Sequence, residues 1–173
     1  QHGHELHIAY QVSGNIAVFD HDVVRFLDFI REISGVYGFD ASRADATYKR
    51  VVDELKQKHP GEADPADVRE VKGIIRRGEA RAACRYLKIP EERVHFLDMP
   101  FYETGGVKKK PLSQEDVEII KDLLRKVKPH QIFAAGDLSD PHGTHRVCFQ
   151  AIIQACEELK NEEWFKDCRI WMY

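Results

Sequence analysis

Apolar residues along the chain fall into two periods, and the periods separate helices from strands. Val23, Val24, Phe26, Leu27, Ile30 and Ile33 recur at helical spacing and predict a helix over 20–36, with Asp20 or Asp22 as its N-cap and Gly35 and Gly38 as its stop. A weaker pattern over 42–59 ends at Pro60-Gly61. Val68, Val71, Ile74, Ile75, Ala82, Ala83 and Tyr86 mark a long helix over 66–87 that carries charge on its other side. Ser113, followed by Asp116, opens a helix through Val117, Ile120, Leu123 and Val127 that Pro129 ends. A last helix is expected over 142–159.

Alternation of Leu6, Ile8 and Tyr10 predicts a strand over 5–11, and Val94, Phe96 and Leu97 make a short second one. The run 130–135 is continuously apolar after its first residues and predicts a strand buried on both faces; 168–173 reads as a final strand. Residues 100–111, with Gly105-Gly106 and the Lys108-Lys109-Lys110 triplet, form a loop. Strands alternating with helices of this length predict an α/β fold of parallel crossover units.

Composition narrows the function class. The 173 residues suit one domain, and 26 Lys+Arg against 29 Asp+Glu leave a net charge of −3 with both signs interspersed. Such a balance gives no electrostatic reason for a nucleic-acid or anionic-membrane partner. No apolar stretch approaches a bilayer span and no leader pattern is visible, so a cytoplasmic protein is the simplest expectation. Cys84, Cys148, Cys156 and Cys168 show no Cys-x-x-Cys spacing and read as free thiols in packed segments.

Candidate chemistry gathers where parallel strands lead into helices, because ligands of open α/β sheets bind beyond the carboxyl ends of strands. One such place is the polar turn Gln11-Val12-Ser13-Gly14-Asn15. The other is the segment from Gly136 to Arg146, with His142 and His145 at i,i+3 spacing on the start of the last predicted helix. Two imidazoles on one face are metal-ligand geometry, and Asp137 and Asp140 stand close enough to fix their tautomers; the competing reading is a pair of polar capping residues. Two histidines do not complete a zinc site, which takes three protein ligands and an open position. His2, His4 and His7 fall at the opposite end of the opening strand, and His21, His59 and His95 are expected at surface or packing positions without partners.

Read together, Gly3 to Gly14, Arg76-Arg77-Gly78-Glu79-Ala80-Arg81-Ala82-Ala83 and Asp140-Pro141-His142-Gly143-Thr144-His145-Arg146 resemble the PIG-L/LmbE family of zinc-dependent de-N-acetylases. The late histidine motif is similar to a subgroup in which this domain follows a glucosamine-6-phosphate deaminase/isomerase-like domain. The resemblance implies a Rossmann-like, mostly parallel sheet flanked by helices. It also implies a metal-dependent hydrolase acting on the N-acetyl group of an amino sugar, with His145 as a metal ligand and His142 and Asp140 as catalytic residues. Ser13, Gly14, Asn15 and Arg76 become candidate substrate contacts. For Arg76 an ion pair with Glu79 is an equal alternative, and Tyr102 and Glu103 are weaker candidates.

The family's His-Pro-Asp-Asp motif, source of the other ligands and of the general base, has no counterpart in these residues. The expectation is therefore a fragment lacking the first strand and metal-binding loop, inactive by itself and presenting a bare strand edge that a second copy could pair with. The rival expectation is a non-catalytic or regulatory C-terminal domain of a deaminase/isomerase.

Overall fold

A computed structural model describes residues 3–106, 108–136 and 139–173. Backbone contacts divide the chain into two compact units, one of Gln1–Ile8, Ser13–His95 and Gly105–Lys108, the other of Ala9–Val12, Phe96–Thr104 and Lys109–Tyr173.

Three helices form the first unit: α1 (Asp20–Tyr37), α2 (Ala41–Gln57) and α3 (Ala66–Tyr86). α1 and α2 pack along each other, and Val23, Leu27, Val51 and Val68 form a buried cluster edged by Tyr48, Leu55 and Val71. Asp40 caps α2 by accepting from the Arg43 amide at 3.0 Å. The expected Asp20 or Asp22 cap of α1 is corrected: Phe19 occupies that position and both aspartates lie in the first turn. Asp20 has other partners. Its carboxylate and that of Asp64 alternate with the ammonium groups of Lys58 and Lys72 in a closed square with sides of 2.6–2.7 Å. The Lys72 side chain is 4% exposed, so an open corner would strand a charge out of water. Burial alone would raise the Asp20 carboxyl, yet the bonds from Lys58 and Lys72 outweigh it and hold the group below its usual range.

The strands are shorter than the sequence pattern suggests. β1 (Ile8–Tyr10) pairs with β2 (Val94–Phe96), and β3 (Gln131–Ala134) pairs in parallel with β4 (Arg169–Met172). The mixed helix-and-strand reading holds, with the described strands joined as two two-stranded sheets. One expectation for β3 fails. Phe133 is 63% exposed, so the strand is not buried on both faces; its ring instead stacks on Trp171 of the neighbouring strand.

In the second unit, α4 (Gln114–Val127) packs on α5 (Thr144–Leu159). α4 buries Val117, Ile120 and Leu124, while α5 buries Ala151, Ala155, Cys156 and Leu159, whose small members allow close approach. Lys121 bridges the helices by bonding Glu118 at 2.6 Å and Glu158 at 2.7 Å. A capping box starts α4, as Ser113 and Asp116 led one to expect. Asp116 does more than cap. Fully buried, it accepts from the Ser113 amide at 2.9 Å, the Ser113 hydroxyl at 2.6 Å and the Phe101 amide at 3.0 Å.

Asp116→Ala is expected to destabilise the second unit by about 3 kcal/mol, since it removes the cap and leaves the buried Phe101 amide without this acceptor. Asp116→Asn, which keeps one carbonyl oxygen, should cost clearly less. Urea unfolding midpoints measure both, and equal losses would contradict this assignment.

Candidate functional site

The turn that leads from Asp140 into α5 is built by its own backbone. Pro141 follows Asp140, and Gly143 adopts φ +70°, a left-handed conformation that a side chain would oppose, so the chain turns sharply before α5 begins at Thr144. His142 therefore lies in the turn ahead of the helix and not on its first turn as expected; the left-handed glycine is the reason. His145 is the second residue of α5.

Asp140 ties the two together. Its Oδ1 accepts from the His142 amide at 3.0 Å and its Oδ2 from the His145 amide at 2.8 Å. The His145 N–H bond holds the carboxyl below the usual aspartate range; burial opposes this, while the His142 N–H and the two imidazoles add to it. Asp140 is buried, whereas His142 and His145 are both exposed. Asp137, the other expected partner, lies outside the described residues.

α5 is also held from beneath. The Gln11 side chain donates to the Cys148 carbonyl at 3.0 Å and meets the Met99 sulfur at 3.5 Å. Gln11 belonged to a predicted polar turn, but nothing in its sequence position signalled a bond to a residue so far along the chain. Burial, together with Asp116 and Asp140, pushes the Cys148 thiol up to about 12, so the sulfur remains a neutral packing group. All four cysteines are free, as expected.

In the first unit, Ser13, Gly14, Asn15 and Arg76 come together. Ser13 and Asn15 are buried, and the Ser13 hydroxyl accepts from the Asn15 amide at 3.3 Å. Gly14 has φ +69°, a left-handed turn that favours glycine, and a Cβ there would sit 3.2 Å from Nε of the Arg76 side chain that crosses it. Arg76 makes the anticipated ion pair with Glu79 at 2.5 Å while remaining about half exposed at 47%. Tyr102, the weaker candidate, is buried under Lys109, whose ammonium lies 5.3 Å from the ring centre. Glu103, proposed beside it, is half-buried.

His95 does have a partner, against expectation. Its ring stacks on His7 with centres 5.3 Å apart, and the His7 Nδ1 to His95 Nε2 distance is 3.0 Å; Glu5 meets the other His7 nitrogen at 3.1 Å. Pairing of β1 with β2 brings these distant residues together.

Among the described residues no three His, Cys, Asp or Glu side chains converge as a metal site. Both Asp140 oxygens already accept backbone amides, which leaves His142 and His145 as the exposed donors of this turn. The described residues thus do not fit a complete zinc site by themselves.

The family model described as GlcNAc-PI de-N-acetylase, PIG-L, matches residues 1–156. The chain belongs to the PIG-L family. It is also 53% identical to a glucosamine-6-phosphate deaminase-like protein of Bacteroides thetaiotaomicron, in a match that takes in 98% of this chain and 26% of the relative. The chain thus spans about a quarter of that relative's length. No solved structure matches it. No helix among the described residues is long and apolar enough to cross a membrane.

The lowered Asp140 pKa makes its clamp pH-dependent with a definite sign. The stabilisation is complete above the unfolded-state value of about 3.9 and is lost as pH falls through the lower folded value. The His142 and His145 amide resonances are expected to titrate together with a midpoint below that of an ordinary aspartate, as followed by NMR. A midpoint at or above the ordinary value would contradict the clamp.

Proposed function

We propose that this PIG-L domain serves the hydrolytic removal of an N-acetyl group from an amino sugar, as part of a longer polypeptide that also carries a deaminase-like region. The observation that supports this most directly is the Asp140 carboxylate holding the His142 and His145 amides, because it fixes the backbone of two histidines whose side chains are exposed. Family membership supplies the reaction class, and the longer relative's name supplies the amino-sugar context.

In this reading His145 is a metal ligand, zinc being the metal, and the remaining ligands and the general base come from outside the described residues. His142 gives a proton to the leaving amine in this reading, which its exposure ahead of the helix supports. Asp140 positions both rings through the backbone. The Arg76 side chain lies close over Gly14, between Ser13 and Asn15 in sequence, and its exposed guanidinium suits an oxygen-rich sugar or phosphate group. The protein is expected in the cytoplasm.

A non-catalytic, regulatory role within a deaminase/isomerase is the second reading, favoured by the lack of a third ligand among the described residues. The two separate in one experiment on the polypeptide in which these residues occur. Acetate release from N-acetylated amino sugars and bound zinc are measured for that protein and for two variants. His145→Ala is expected to lose both metal and activity, and His142→Ala to keep metal while losing activity by about a hundredfold or more. A protein with neither zinc nor acetate release, or variants indistinguishable from it, would establish the regulatory reading.

A further inference from the structure

The parallel register of β3 and β4 sets Phe133 opposite Trp171, with ring centres 6.5 Å apart and planes 18° from parallel. Strand alternation places Gln131 and Arg169 on the same face, and Tyr173 two residues beyond Trp171 continues it. Phe133 is 63%, Trp171 51% and Tyr173 80% exposed. The opposite face differs at β3, where Ala134 is buried and Ile132 half-buried.

A bare aromatic face is out of place on a parallel pair. Parallel strands are joined by crossovers whose helices lie over the sheet, so both faces are normally covered, and two strands without a covering layer are marginal in water. Stacked aromatics beside an arginine, with no acidic side chain among them, also have the composition of an interface centre.

The comparisons bear on what covers the face. β4 lies beyond the family match, which ends at residue 156, whereas the match to the longer relative takes in 98% of this chain. The region past residue 156 is thus for the most part shared with a protein about four times as long.

We propose that the face formed by Phe133, Trp171 and Tyr173 docks an amphipathic helix from another part of the same longer polypeptide, with an apolar stripe over the three rings and an acidic residue toward Arg169. This does not depend on the deacetylase reading, and its test does not use activity.

The test is hydroxyl-radical footprinting of the polypeptide in which these residues occur, with each ring's oxidation rate compared with its rate after urea unfolding. Phe133, Trp171 and Tyr173 are expected to be protected several-fold, equally at every point of a roughly hundredfold dilution series. Trp171→Glu should remove the protection of Phe133 and Tyr173; should that variant not fold, the unsubstituted protein still decides the matter. Rates equal to those of the unfolded protein would overturn the proposal. Protection that disappears on dilution would assign the face to a second copy and overturn it equally.

Discussion

The Asp140 carboxylate holds two backbone amides at once, that of His142 through Oδ1 and that of His145 through Oδ2, and the path of the chain from Asp140 into α5 follows from this pair of bonds. A carboxylate can accept in this way only where amides converge, and the left-handed Gly143 makes them converge by reversing the backbone between the two histidines. The acceptor lies at a helix N-terminus, where backbone N–H groups lack partners within the helix and favour negative charge. The proposed function draws on the same arrangement, since it is the backbone of both histidines that is fixed while their side chains remain exposed.

Much of this was legible because several residues of Asp140-Pro141-His142-Gly143-Thr144-His145-Arg146 restrict the backbone individually. Proline fixes one torsion, glycine permits a positive φ, and aspartate is a strong acceptor for helix-terminal amides. The helix boundary was still misplaced by two residues, because apolar periodicity does not register a turn made by glycine. The Ser113–Asp116 capping box was equally readable, being local. The Phe101 amide that Asp116 also satisfies was not, since that contact spans a loop.

Contacts between distant segments account for the remaining differences. A run such as Ile132-Phe133-Ala134-Ala135 looks the same whether one face or two are covered, and only the structure shows Phe133 facing outward onto Trp171. The His7–His95 stack and the square of Lys58, Lys72, Asp20 and Asp64 each join groups that carry no mark of one another in sequence. Asp20 shows how such a contact displaces a local role: its carboxylate binds two lysines where a helix cap was expected.

The Ser13-Gly14-Asn15 turn and Arg76 form a second local assembly, with the arginine lying across a glycine that no larger residue could replace without strain. In the proposed function, the turn clamped by Asp140 contributes His145 to a metal site completed by other parts of the polypeptide. Anomalous diffraction at the zinc edge, from crystals of the polypeptide in which these residues occur, tests it most directly. A peak at about 2.1 Å from a His145 ring nitrogen is predicted. A fully occupied zinc peak elsewhere with His145 unliganded, or no peak in zinc-saturated crystals, would contradict it.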